Sequence, residues 1–527
     1  MTSDHEAFAY DLWLDPWLRL QRPDGSIDRS GIYRALINAH EYASLIDASP
    51  LVVAGIQRLL VAILQDALQP RSQREIRGWI GAGTIPVDRL NAFAEQFADR
   101  FDLFSFDKPF LQSADLGTAP AKEDTVKSAG YLFYEQPTGT NHTHYRHGLN
   151  DAYAICPACA AAGLCTIPAF ATTGGAGIKQ SINGVPPYYV LPIGETLATT
   201  LLQSLLIPPW FPVTSQPDGE LPWWRRESHV GKNNEVQAVS YLASLTFPAR
   251  RMRLHPRQVE AACSRCGEHC TTGVSTMVYD MGEFRAYGLP TWQDAFVAYQ
   301  PPKPKAKIQQ PNAVRPQEGR AVWREFNTLF LSRGPSSTGG SPASGTGPQS
   351  PLVVNHLSEL YEDDLQADML TFRVIGVRTD KAKIIEWSDS SFNVPFALMS
   401  DPTTGVLVNA ALDCVEDCAF VIGHAMLLAE GREHVTRYRR LQQRLLREYW
   451  QHLAEPFTHY ILLLADRGNR YSVQDQWIDQ TIRYASDVFE ETIATIGDDA
   501  RALRIRVQAT EHCRVDLFKV RQERSNT

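Results

Sequence analysis

The chain reads as an α+β protein in which a large mixed N-terminal domain over residues 1–394 carries a structural zinc knuckle. A C-terminal antiparallel four-helix bundle over 395–527 follows it. Three observations predict this. The first hundred residues alternate short strand-like patterns with longer helical ones. Two C-x-x-C motifs stand about a hundred residues apart, and beyond about Pro395 the pattern turns helical to the end. A length of 527 residues also exceeds one core, since domains run roughly 100–200 residues, so two or three units are expected.

In chain order, "YDLWLDPWLRLQRPDG" (Tyr10 to Gly25) predicts a strand ending at a Pro-Asp-Gly reverse turn. In "PLVVAGIQRLLVAILQDAL" (Pro50 to Leu68), Val53, Ile56, Leu60, Ile63 and Leu64 recur at helical spacing behind a first-position proline, the pattern of a buried core helix. From about Gly130 to Pro192 the chain breaks into glycines, prolines, histidines and cysteines, which predicts a long loop-rich region. "SRGPSSTGGSPASGTGPQSP" (Ser332 to Pro351) forbids regular packing and reads as a flexible surface insertion or a bare spacer. Four helical segments then fall near 403–429, 433–466, 472–496 and 499–523. The third is expected to start at a capping box from Ser472 and to present Ile478, Ile482, Ala485, Phe489, Ile493 and Ile496 on one face, with Gly497 to Asp499 stopping it and capping the fourth.

Composition narrows the function. With 44% hydrophobic and 21% charged residues the chain resembles an ordinary soluble protein. No apolar run approaches the roughly 18 residues that cross a bilayer, and "MTSDHEAFAY" lacks the features of a signal peptide. A cytoplasmic location is therefore expected. Net charge is −8, so contact with nucleic acid must come from local basic patches.

Six of the nine cysteines lie in "ICPACAAAGLC" (Ile155 to Cys165) and "CSRCGEHC" (Cys263 to Cys270). In a reducing compartment, two C-x-x-C turns suit a tetrahedral zinc site, with a redox dithiol and unligated buried thiols as the alternatives. Cys165 and Cys270 leave the choice of four ligands open. If zinc is bound, it staples two distant loops together. Cys414 and Cys418, at i and i+4, read as core thiols.

Nucleotide-binding, nucleophile-elbow and H-E-x-x-H signatures are absent from the sequence. His142, His144 and His147 in "NHTHYRHG" suit either a solvated loop or, as the competing reading of the whole protein, a zinc-dependent nuclease. Two helices are rich in arginine. "GREHVTRYRRLQQRLLREYW" carries Arg432, Arg437, Arg439, Arg440, Arg444 and Arg447, and the last helix adds Arg501, Arg504, Arg506, Arg514, Lys519, Arg521 and Arg524. Such rows attract phosphate backbones, although solvated helix faces look the same.

These residues also bear a family resemblance. "LWLDPWLRL", "KPFLQ", "YLFYEQPTG", both cysteine pairs, "YLASLTFPARRMRL", "AVWREF" and the terminal helical pattern occur in the order seen in the CasA family, the large subunit of the type I-E CRISPR Cascade surveillance complex. The resemblance covers nearly the whole chain. It implies a non-catalytic subunit that sits with CasB, CasC, CasD and CasE beside the 5′ handle of the guide RNA. Such a subunit reads a protospacer-adjacent motif in double-stranded DNA through the minor groove, opens the duplex and presents a surface to a helicase-nuclease.

Residue by residue, the resemblance implies a guide-RNA-proximal loop at Phe133, Tyr134 and Glu135, and structural zinc on Cys156, Cys159, Cys263 and Cys266. It implies a glycine-rich DNA-facing loop at Gly174, Gly175, Ala176, Gly177 and Lys179, where many relatives have glycine in place of Ala176. A duplex-splitting wedge falls on "GVRTDKAK" with Arg378, Asp380, Lys381 and Ala382, and relatives commonly carry glutamine where Lys381 stands. The minor-groove lysine of some relatives aligns near Asp280, with Arg285 the nearest basic residue in sequence. Arg439, Arg440 and Arg444 are expected to hold DNA phosphates.

Overall fold

The computed structural model describes residues 8–117, 125–134, 153–172, 179–227, 230–303, 310–332, 347–362, 368–380, 383–401, 403–428 and 435–525. Contacts divide the chain into two compact units. The first is Met1–Pro316 with Gly334–Gln366 and Thr371–Phe392; the second is Gln317–Arg333 with Ala367–Leu370 and Asn393–Thr527.

In the first unit, β1 (Leu18–Gln21) and β2 (Ile27–Ser30) form the expected hairpin, with Gly25 at φ +86° supplying the left-handed residue of the turn. The two-residue strand β3 (Ser44–Leu45) lies on the other side of β1. The strand is shorter than the sequence pattern suggests. Asp11 draws the chain before it into a turn, its carboxylate accepting the Trp13 N–H (2.9 Å) and its carbonyl the Leu14 N–H (3.0 Å).

Helix α1 (Pro50–Leu68) is the core helix that its periodicity predicts. Contrary to the expectation that no apolar run nears membrane length, this helix is long and apolar enough to span a bilayer by length and composition, yet 94% of its apolar window lies inside the protein. Its polar residues are spent internally. Arg58 makes a bidentate pair with Asp294 (3.0 and 2.7 Å), both 1% exposed, and Gln65 exchanges bonds with the backbone of Leu206.

The region read as loop-rich contains more order than its composition suggests. A short strand β4 (Val126–Ser128) precedes it, and helix α2 (Pro157–Leu164) and strand β5 (Tyr189–Ile193) fall in it or at its end. Pro157 at the first position and four alanines explain α2, because proline pre-sets the first turn and alanine has the best helix propensity. It seats tightly on α1: a Cβ at Gly55 would stand 2.4 Å from the carbonyl oxygen of Cys165.

Two long hairpins dominate the sheets. Strands β6 (Arg250–Ala262) and β7 (His269–Met281) pair from Arg250↔Met281 to Ala262↔His269, with irregularities beside Pro256 and Gln258, and β4 adds to β7. Proline donates no ladder hydrogen bond, which accounts for the first irregularity. Strands β8 (Met369–Asp380) and β9 (Lys383–Pro395) form the other, with β8 pairing β5 from Thr371↔Ile193 to Ile375↔Tyr189.

The second unit holds four long helices, α3 (Thr404–Leu428), α4 (Val435–Leu463), α5 (Arg470–Ala494) and α6 (Ala500–Ser525). They pack on one another through Tyr449 Oη to Val415 O (3.1 Å), Trp477 Nε1 to Ala411 O (3.2 Å) and Tyr460 Oη to Gln474 Oε1 (2.6 Å). Cys414 and Cys418 are fully buried on α3. Asp499 caps α6 as its position predicts, accepting the Ala502 N–H (2.7 Å). The Ser472 capping box is not formed: α5 starts two residues earlier behind Asn469, so Ser472 lies inside the helix and exposed. Of the face read on α5, Ile478, Ala485, Phe489 and Ile493 are buried, whereas Ile482 is half-buried. The segment Gln317–Arg333 joins this unit by Trp323, whose ring packs tilted against Trp450 and Phe457, and by Arg324, which grips Glu416 with two nitrogens and lies 3.6 Å over the Trp450 ring.

Candidate functional site

The two C-x-x-C motifs meet at one point. Cys156 is the N-cap of α2 and Cys159 sits in its first turn, while Cys263 and Cys266 form the tip that joins β6 to β7. The tip folds because Gly267, at φ +78°, donates to Cys263 O (2.9 Å) while Cys263 N–H reaches Glu268 O (2.7 Å). Paired backbone bonds of Ile155 and Val274 (3.0 and 2.8 Å) then bring α2 alongside, and Ser264 and Ala154 close a second pair of contacts.

All four sulfurs lie within 4.8 Å of one another, three of the cysteines buried and Cys266 half-buried. Cys156 Sγ stands 3.8 Å from Cys266 Sγ, and the backbone N–H of Cys156 points at Cys263 Sγ (3.2 Å). A disulfide would need about 2.05 Å, whereas four thiolates about 2.3 Å from a tetrahedral ion stand about 3.8 Å apart. The cluster can therefore hold a metal ion. The structure also resolves which cysteines take part: Cys165 turns to Ala161 O (3.3 Å) and Cys270 to Ala261 O (3.4 Å), outside the group.

One charged residue belonging to the motif was not singled out by the sequence. Arg265 is paired with Asp47 through both guanidinium nitrogens, its Nη1 lies 3.9 Å from Cys159 Sγ, and its Cζ stands 4.3 Å over the Phe133 ring. Phe133, expected on a flexible loop, is 0% exposed. Tyr134 beside it is half-buried, with desolvation holding its phenol well above the usual range; Glu135 lies outside the described residues.

The DNA-facing candidates fall in three places. Gly174, Gly175, Ala176 and Gly177 lie outside the described residues, as do Lys381 and Ala382 and the three histidines His142, His144 and His147. Lys179, at the end of the glycine-rich loop, places its Nζ 3.2 Å over the Phe284 ring and 4.7 Å over Tyr287. Arg378 on β8 pairs with Glu386 on β9 (3.1 Å), and Asp380 is exposed where β8 ends. Arg285 is occupied by Pro290 O (2.8 Å) and lies over Trp292; the basic group beside Asp280 is Lys232 (2.6 Å), distant in sequence and without a motif to mark it.

The arginine rows differ from one another. Arg439, Arg440 and Arg444 are exposed on α4, where Arg444 pairs only along its own helix with Glu448 (2.9 Å). On α6, Arg514 pairs with Glu490 (3.0 Å), Arg521 with Asp479 (2.9 Å) and Arg524 with Asp417 (2.6 Å), all on neighbouring helices.

Fold and site together define a mixed α/β protein with a buried tetracysteine centre and a separate unit of long helices. The family model for CRISPR-associated protein Cse1 matches residues 11–488, and the chain belongs to that family. The CRISPR-associated protein CasA/Cse1 of Thermus thermophilus is 26% identical over 95% of this chain and 96% of its own length. Cse1 of Acidimicrobium ferrooxidans shares the fold, with a TM-score of 0.78 at 19% identity over 98% of this chain and 99% of that one. A chain of a solved CRISPR RNA-guided surveillance complex does so too, with a TM-score of 0.71 at 19% identity over 97% and 99%.

Proposed function

We propose that the chain is the large, non-catalytic subunit of a type I-E CRISPR RNA-guided surveillance complex, assembled in the cytoplasm with CasB, CasC, CasD, CasE and a guide RNA. In this reading it recognises the protospacer-adjacent motif in double-stranded DNA, helps open the duplex and recruits a helicase-nuclease. The observation that carries the proposal is family membership over residues 11–488 together with a fold matching a chain of such a complex over 97% of this one.

Three features support the division of labour. Strands β8 and β9 flank Lys381 and Ala382 in sequence, ending at Asp380 and resuming at Lys383, and a hairpin is the kind of element that can occupy a base stack. The exposed arginines of α4, which we read as part of an antiparallel four-helix bundle, offer phosphate contacts. Lys232 beside Asp280 supplies a basic group where the minor groove is expected. We assign zinc to Cys156, Cys159, Cys263 and Cys266; it would supply a fixed tetrahedral cross-link, and four thiolates close the shell so that no position is left for a reacting water. That chemistry suits a structural centre; the competing nuclease reading rests on His142, His144 and His147, which lie outside the described residues.

The test is to reconstitute the complex with and without this chain and measure binding to duplexes with randomised flanking motifs. Motif-dependent binding that requires the chain is expected. Equal binding in its absence would overturn the proposal, and metal-dependent cleavage of DNA by the isolated chain would restore the nuclease reading.

A further inference from the structure

We propose that Arg265 is a positioning residue that ties the tetrathiolate centre to the Phe133 segment, holding Cys159 by an N–H to sulfur contact and Phe133 by a cation–π contact. The inference rests on the reading of the four thiols as a metal site.

Arg265 lies between the two ligands of the second motif, so its backbone is fixed by the same tip that presents Cys263 and Cys266. Its side chain is 9% exposed and does not leave for solvent; it turns inward to Asp47, which is 5% exposed. Asp47 comes from the short connection between β3 and α1, where it also accepts the Ser49 N–H (2.9 Å), so the carboxylate is itself anchored. A planar guanidinium held by two bonds on one edge can aim a further N–H elsewhere, and here Nη1 faces Cys159 Sγ at 3.9 Å. The gap beside Cys159 is also lined by Trp17, Ile46, Ile56 and Ala158 and by Arg19 and Arg29, and both of these arginines are paired with Glu268. Groups that hydrogen-bond a ligand orient it and tune its basicity.

The Cζ of the same guanidinium lies 4.3 Å over the Phe133 ring, a cation–π contact. The segment also meets α2 at Gly163, where a Cβ would fall 2.7 Å from Leu132 Cβ and 3.1 Å from Phe133 Cζ. Phe133 therefore touches both the helix that carries two thiols and the arginine that contacts one of them. The segment Ala129–Leu132 is a single 3-10 turn, with Ser128 Oγ accepting the Gly130 N–H (3.2 Å), Phe133 N–H donating to Gly130 O (3.1 Å) and Thr166 Oγ1 donating to Leu132 O (3.3 Å), so a short turn held by tertiary contacts carries Phe133. Loss of the arginine removes the donor to Cys159 and the lid on Phe133 together.

The experiment uses the full chain, wild type and with Arg265→Gln, Arg265→Lys or Asp47→Asn, loaded with Zn²⁺ or Co²⁺. Chelator competition should show Arg265→Gln weakening zinc by about ten- to a hundredfold, with the lysine and Asp47 variants between it and wild type. In the Co²⁺ form the thiolate-to-cobalt charge-transfer band should move to lower energy in Arg265→Gln, because a sulfur without its hydrogen bond holds its electrons less tightly. Amide exchange over Ala129–Tyr134 should quicken in that variant even with metal bound, and in wild type only after the metal is stripped. Unchanged affinity, band and exchange in a metal-loaded Arg265→Gln protein would overturn the role of Arg265 while leaving the metal reading intact. Wild-type protein that takes up neither ion would overturn both.

Discussion

The two long hairpins differ in what happens at their tips. At the β6–β7 tip, Cys263 and Cys266 are drawn onto Cys156 and Cys159, and Arg265 onto Asp47, so the turn is tied to two other parts of the unit. The β8–β9 hairpin is fixed along its length, by β5 on one side and by pairs such as Arg373 with Asp389 (2.6 Å), and its last described residue before the turn, Asp380, is exposed. The helices repeat the contrast, since α6 spends Arg514, Arg521 and Arg524 on neighbouring acids while α4 leaves Arg439 and Arg440 in solvent. Side chains satisfied within the chain hold the fold. Those left outside it are what a partner can meet.

The sharpest way to break this comparison is at the tied tip. Cys263→Ser should reduce bound zinc from about one equivalent to almost none, and should lower thermal stability markedly because metal binding is coupled to folding. Elemental analysis and calorimetry measure both, and Cys165→Ser and Cys270→Ser should leave the metal content unchanged. Acidification should release the ion as well, since thiolates must be deprotonated to bind.

At the other tip the outcome should reverse. Replacing Asp380, Lys381 and Ala382 with glycine should leave stability near wild type while weakening binding of the assembled complex to an intact duplex roughly ten- to a hundredfold, the scale of an unstacking cost of a few kcal/mol. A target already mismatched over its first pairs needs no wedge and should bind nearly as before. Equal losses on both targets would make the hairpin a motif reader or a structural element.

A smaller effect separates the arginine rows. Arg439→Gln, Arg440→Gln and Arg444→Gln together should weaken DNA binding alike for all sequences and lower the salt slope by about one for each phosphate no longer neutralised. The least change is expected from Arg514→Gln with Arg521→Gln, which should leave DNA affinity unaltered and cost about 0.2–1 kcal/mol of stability per exposed pair, read from denaturant unfolding.

Periodicity and residue chemistry alone determined a good deal here. The Pro50–Leu68 helix, the turn at Gly25 and the four terminal helices follow from local rules of spacing, proline placement and backbone freedom, which act within one or two turns of chain. The two C-x-x-C pairs announced thiolate chemistry by residue type. Residue chemistry left Cys165 and Cys270 open and only the family resemblance favoured Cys156, Cys159, Cys263 and Cys266; the tertiary structure groups these four because a helix N-terminus and a hairpin tip meet across about a hundred residues. It likewise decided that Arg265 faces a sulfur, that Phe133 is buried, that Lys232 stands beside Asp280, and that Arg514, Arg521 and Arg524 pair with acids on neighbouring helices while Arg439 and Arg440 are exposed. Each of these turns on the distance between groups far apart in sequence, and charge, burial and ligation follow distance in space, which no local pattern of residues records.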